Sequence, residues 1–153
     1  MFSNIKTWWN GDLYDSRGES RYAEHLAWQV ARGEIQKVER QVKFPLFENS
    51  VLVAHHVVDF VVTNNQGKEE IHEYKGPETD KWRRKLELFV QNYPGRKYIT
   101  IKEPRKGRYQ YFAPSEILGY TLTKQDPSPQ KHYSHFEYFC SMIAHHIFKF
   151  FLG

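Results

Sequence analysis

The sequence predicts an α+β domain in which extended segments are grouped between two helices. Three observations carry this. Ser16 and Glu19 form a capping box ahead of an apolar stripe that Gly33 can end. Residues 52–63 are rich in Val and Phe, as expected of a strand covered on both faces. Thr79 stands before a second stripe made by Trp82, Leu86, Phe89 and Tyr93.

The first helix is expected over Arg17–Arg32, where Tyr22, Ala23, Leu26 and Val30 recur at helical spacing. At about 100° per residue Glu19 falls on the same stripe, while Glu24 points elsewhere. Three extended segments follow, Lys37–Phe47, Leu52–Thr63 and Glu69–Lys75. Val42, Phe44 and Leu46 alternate in the first, and Asn64-Asn65-Gln66-Gly67 joins the last two as a hairpin. The second helix is expected over Asp80–Asn92, with Lys81, Arg84 and Lys85 on a stripe apart from the apolar one. Tyr98–Lys102 reads as a further strand, and Tyr109–Phe112, beyond a basic turn, as an extended segment with no assigned partner.

Residues 123–133, with Pro127 and Pro129 among polar residues, read as a linker between a domain at 1–122 and a C-terminal helix at 134–153. Ser134 and Glu137 repeat the capping-box pattern. The stripe Phe136, Phe139, Ile143, Ile147 and Phe150 demands cover. A second copy of the chain, giving a homodimer through this helix, is the favoured cover, and the main domain is the other.

Composition narrows the class. The 153 residues carry a formal charge of +4, which favours a polyanionic partner without proving one. A single cysteine, Cys140, excludes an internal disulfide and a multi-cysteine zinc site, and fits a reducing, cytoplasmic setting. Met1-Phe2-Ser3-Asn4 shows no basic region followed by an apolar run, so no secretory signal is expected. Phe136–Leu152 is interrupted by Glu137, His145, His146 and Lys149, so no membrane span is expected.

The chemistry-bearing segment runs from Val57-Val58-Asp59-Phe60 to Glu73-Tyr74-Lys75. Residues two apart on a strand share a face, so Glu73 and Lys75 project together, and the hairpin partner can bring Asp59 beside them. Two carboxylates suit a hard divalent cation that bridges protein and phosphate, and a lysine can orient or help deprotonate a water. That combination points to phosphodiester hydrolysis.

Val58-Asp59 followed by Glu73-Tyr74-Lys75 resembles the PD-(D/E)XK nuclease superfamily, with valine in place of the usual proline. Ser16-Arg17-Gly18-Glu19, Glu39-Arg40-Gln41-Val42-Lys43-Phe44-Pro45-Leu46, Tyr74-Lys75-Gly76 and Trp82-Arg83-Arg84-Lys85-Leu86 are similar to segments of small phage-associated endonucleases. The resemblance covers residues 15–95. It implies a restriction-endonuclease-like fold, a mixed four-stranded central sheet flanked by helices, here with an added apolar C-terminal helix. It also implies a Mg²⁺-dependent (or Mn²⁺-dependent) endodeoxyribonuclease encoded by a phage and active in its bacterial host, on branched or duplex DNA in recombination, repair or DNA processing. Asp59 and Glu73 would then hold the metal, joined by the Tyr74 backbone carbonyl, Lys75 would assist the water, and Glu19 would match the family's helix carboxylate.

Other readings compete. Glu19 also fits a plain capping role, and Glu73 with Lys75 fits a solvated ion pair. Asp59 fits neither, because a carboxylate inside a run of Val and Phe needs a metal or a donor. Gln41, beside Glu39 and Lys43 on the strand face opposite Val42, could position a phosphate or water, or be a surface amide. His55-His56 and His145-His146 lack zinc-site spacing. Lys81, Arg83, Arg84, Lys85, Arg105 and Lys106 form clusters that could follow a DNA backbone. The alternative function is a non-catalytic nucleic-acid-binding module on the same fold. Backbone contacts carry little sequence information, so duplexes, junctions, flaps, single strands and RNA all stay open as substrates.

Overall fold

The computed structural model describes residues 5–119. The chain divides into two units, residues 1–122 and 123–153. The expected linker and C-terminal helix lie outside the described residues.

The fold opens with a short hairpin that sequence reading missed, β1 (Thr7–Trp9) and β2 (Asp12–Tyr14). Its turn residues Asn10 and Gly11 both have positive φ, as a two-residue hairpin requires. Three-residue strands are too short to show an alternation. Then come α1 (Arg17–Ala31), β3 (Ile35–Glu48), β4 (Val51–Asn64), β5 (Glu69–Tyr74), α2 (Asp80–Asn92), β6 (Lys97–Arg105), β7 (Arg108–Phe112) and α3 (Pro114–Leu118). Strands β3 to β7 form one five-stranded sheet in sequence order, one strand more than the resemblance implies. All neighbours are antiparallel except β5 and β6, which run parallel because α2 carries the chain back between them. Tyr109–Phe112 thus finds its partner in β6.

The β3–β4 turn, Asn49-Ser50, is another positive-φ pair. It makes two 14-residue strands into one long hairpin. An Asn-Ser pair between apolar runs was the available signal.

Two cores sit on opposite faces of the sheet. One joins Phe44, Leu46, Val58, Val61 and Ile71 to Trp82, Leu86 and Phe89 of α2. The other joins Phe60, Val62 and Ile101 to Tyr14 and to Tyr22 and Leu26 of α1. Strand β4 feeds both from Val58 to Val62, as a strand covered on both faces should, whereas Val51, Leu52, Val53 and Val57 are exposed. Each fully buried Leu, Phe or Ile contributes roughly 1.5 to 3 kcal/mol, so both helices are held firmly against the strands.

The long hairpin changes sides partway. Val38 of β3 packs in the α1 core, whereas Val42, Phe44 and Leu46 pack in the α2 core, although all four positions are even-numbered. A regular strand would keep them on one face. The switch falls at Gln41, whose φ is +52°. The flanking pairs Arg40↔Phe60 and Val42↔Val58 are in register, and Gln41 and Asp59 lie between them. The alternation that grouped Gln41 with Glu39 and Lys43 therefore breaks at Gln41 itself. The distal hairpin is tied to the end of α2 by the Asn92 side chain, which accepts from the Phe47 N–H at 2.8 Å and donates to the Phe47 carbonyl at 3.0 Å. The Tyr93 hydroxyl adds a bond to the Pro45 carbonyl at 2.7 Å.

Candidate active site

The β4–β5 ladder runs from Thr63↔Glu69 to Phe60↔His72 and stops. At the next position side chains replace it. The Asp59 N–H donates to Glu73 Oε2 at 3.2 Å, and the Tyr74 N–H donates to Asp59 Oδ2 at 2.9 Å. On its other side β5 stays paired with β6 through Glu73↔Thr100 and Tyr74↔Ile101, and the Lys75 N–H continues to the Ile101 carbonyl at 2.8 Å. The strands part on one side only. The two carboxylates fill the opening.

Glu73 is buried, and Asp59 is half-buried. Both carboxyls are pushed well above the usual carboxylate range. For Asp59 burial is the main cause and the Glu73 charge the next, with the Tyr74 N–H, Gln41 and Lys75 acting against them. For Glu73 burial again leads, opposed by the Asp59 N–H, Lys75 and Trp82, and Glu19 adds a further upward push. Gln41 Nε2 approaches Asp59 Oδ1 at 3.4 Å, so the residue that turns the hairpin over also touches the carboxylate.

Glu19 lies in the first turn of α1, 5% exposed. Ser16 Oγ accepts the Glu19 N–H at 3.1 Å, as the capping signal anticipates. The return bond differs. Glu19 Oε2 accepts the N–H of Asp15 at 3.2 Å, one residue before the cap. Burial first, then the charge of Asp59, raises the Glu19 carboxyl to about 7. Capping and proximity to Asp59 therefore coexist in one side chain. The fit of α1 to the sheet depends on Gly18, because a methyl there would overlap the Tyr74 ring.

Lys75 Nζ sits 5.2 Å from the centre of the Trp82 ring, on the α2 side where Glu73 lies. It makes no ion pair with any described residue, and its charge lowers the proton affinity of both Asp59 and Glu73. The three crowded carboxyls gather hard oxygen donors at the opening. That donor set fits a divalent cation such as Mg²⁺, which binds through one or two carboxylates and retains waters. Among the described residues no three His, Cys, Asp or Glu side chains meet at one preformed metal position. Asp59 and Glu73 are the pair suited to hold one.

Tyr74 turns its ring to the α1 side. Its hydroxyl donates to Glu103 Oε2 at 2.8 Å, and Glu103 also accepts from Arg21 Nε at 3.0 Å and from the Gly107 N–H at 2.7 Å. Burial works to raise the Glu103 carboxyl, but these three donors outweigh it and hold it below the usual range. Sequence reading passed over Glu103. It lies among Lys102, Pro104 and Arg105, just past the expected strand, so no local pattern marked it.

The basic residues separate into two groups. Arg83 pairs with Glu78 at 2.7 Å, and Arg84 pairs with Glu48 and Glu87. Lys81 and Lys85 make no ion pair with described residues and line a pocket of about 240 Å³ with His56, Val57, Glu73, Thr79 and Trp82. Arg105 and Lys106 lie at the β6–β7 turn, whose Gly107 is bonded to Glu103 and so to the α1 side. His56 is buried and bonded to the Tyr98 hydroxyl at 2.9 Å, and burial, with Lys85 and Lys75 next, lowers it to about 4. It is a neutral wall. His145-His146 lies outside the described residues. Among the described residues no helix is long and apolar enough to cross a membrane.

A family model described as a protein of unknown function, DUF1064, matches residues 2–107, which include both long helices and every candidate site residue named above. No curated protein and no solved structure matches the chain.

Proposed function

The chain belongs to the DUF1064 family, and we propose that it is a metal-dependent DNA endonuclease. One observation carries this reading: two carboxylates are held in the opening between β4 and β5 by each other's strand, beside an unpaired lysine.

Asp59 and Glu73 would hold Mg²⁺ or Mn²⁺, with the Tyr74 carbonyl as the third protein group implied by the resemblance. The bound ion supplies Lewis-acid polarisation of a phosphoryl oxygen and an acidified water. Lys75 orients that water and offsets charge on the phosphoryl oxygens. Gln41 restrains the Asp59 carboxylate, and Glu19 supports it from α1. The crowded negative charge of the three carboxyls favours cation uptake over an empty site. A phage-encoded protein at work in a bacterial cytoplasm belongs to the same reading.

Incubating the full chain with linear, branched and single-stranded DNA in Mg²⁺, Mn²⁺ or EDTA tests it. Cleavage should appear with the metals, stop in EDTA, and be lost in Asp59→Ala and Glu73→Ala. Binding without cleavage in every metal would leave the non-catalytic nucleic-acid-binding module as the function.

A further inference from the structure

We infer that the pocket between Glu73 and the first turns of α2 is a seat for a phosphate group of a nucleic-acid strand, gripped by Lys81 and Lys85. The choice of nucleic acid as the source rests on the nuclease reading; the anion preference rests on the pocket.

Lys81 and Lys85 are one helical turn apart and so face the same way. Both line the pocket, and neither is paired with a described carboxylate. Their neighbours Arg83 and Arg84, outside the pocket, are all ion-paired. Elsewhere Arg96 meets Glu69, Lys97 meets Glu70 and Lys102 meets Glu78. Arg17, Lys43, Lys68, Arg105, Lys106 and Arg108 also lack a described ion pair, but of these unpaired cations Lys81 and Lys85 are the two that line the pocket.

Trp82 forms one wall of the pocket. It is 6% exposed and lines the pocket, and its indole N–H has no hydrogen-bond partner. That N–H lies near the Glu73 carboxyl and the Tyr98 hydroxyl and holds down the proton affinity of both. The positive end of the α2 dipole adds to the attraction. Thr79, whose oxygen already accepts the Trp82 backbone N–H at 3.2 Å, keeps its hydroxyl proton for an acceptor. The two lysines also compensate the Glu73 carboxylate, which alone would repel an anion. Val57 and the Trp82 ring give the pocket apolar walls, and its volume suits a phosphate together with its sugar.

That phosphate could be an internal diester next to the one attacked, or a monoester at a strand end. Fluorescence anisotropy of the full chain in EDTA, with labelled single strands ending in 5′-hydroxyl, 5′-phosphate or 3′-phosphate, reads this directly. The double variant Lys81→Ala/Lys85→Ala should bind at least about tenfold more weakly, with the salt slope reduced by about one to two units. Lys68→Ala, in the β4–β5 turn, should bind as the native chain does. A terminal seat makes a phosphorylated end bind more tightly than the hydroxyl end, and the double variant erases the difference. An internal seat weakens all three probes equally. Native affinity and salt slope in the double variant overturn the seat, and the nuclease reading survives if Mg²⁺ cleavage persists. Binding lost in the double variant, with no cleavage of any DNA by the native chain, upholds the seat and removes the nuclease reading.

Discussion

Asp59 and Glu73 are cross-bonded where their strands part: Glu73 Oε2 accepts the Asp59 N–H at 3.2 Å, while Asp59 Oδ2 accepts the N–H of the residue after Glu73 at 2.9 Å. Each carboxylate closes the gap left in the other strand's ladder. The arrangement orients both groups, and because both are desolvated it also makes their charged forms costly.

That cost has a pH signature. A carboxyl raised in the folded state favours folding while it is protonated, so its contribution is complete below the unfolded value near 4.5 and is lost as pH rises through the folded value. For Glu19 that window runs from about 4.5 to about 7, and Asp59 and Glu73 act in the same direction. The lowered His56 works in the opposite direction below pH 6.5, so the fall should show between pH 6.5 and pH 8, where thermal stability should drop by on the order of 1 kcal/mol or more. Glu19→Gln, which can still accept the Asp15 N–H, should flatten the profile, match the native chain at pH 5 and exceed it at pH 8. Mg²⁺ should raise the melting temperature more at pH 8 than at pH 5. Melting temperatures that rise from pH 6.5 to pH 8 in the native chain would sink the electrostatic account.

Lys75→Ala should lower kcat by about 10² to 10⁴ while DNA affinity changes less than threefold, because one lysine is a small part of the phosphate contact. Single-turnover cleavage and anisotropy on the same preparation separate the two. A variant that only binds more weakly would make Lys75 a phosphate anchor.

Gly18→Ala should destabilise the chain by roughly 1 to 3 kcal/mol, since the new methyl meets the ring of Tyr74, itself anchored to Glu103. Urea titration measures the loss. Adding Tyr74→Phe removes the nearest atom of the overlap and should recover part of the stability, a coupling that two independent sites would not show.

Gln41 holds a left-handed backbone at φ +52°. Gln41→Gly should be as stable as the native chain or up to about 1 kcal/mol more stable, whereas the β-branched Gln41→Val should lose about 1 to 2 kcal/mol. Equal urea midpoints for the Val variant and the native chain would show that the hairpin does not turn over at this residue.

The sequence by itself determined the elements and the chemical types. Caps at Ser16 and Thr79, helical stripes beneath them, and a Val- and Phe-rich strand interrupted by Asp59 are local signals, because capping and periodicity act over a few residues. Asp59 stood out for a similar reason, as a carboxylate in a run of apolar residues, while Glu19 also fitted a cap and Glu73 with Lys75 a solvated ion pair. Only the tertiary structure decided the rest. The left-handed Gln41 that swaps the faces of the hairpin leaves no periodic trace, since alternation looks unbroken on either side of it. The exchange of bonds between Asp59 and the Glu73–Tyr74 segment, the Glu103 anchor for Tyr74, and the contrast between paired Arg84 and unpaired Lys85 all join residues far apart in the chain. Their partners are chosen by packing between a helix and a twisted sheet, and that packing is a property of the whole fold.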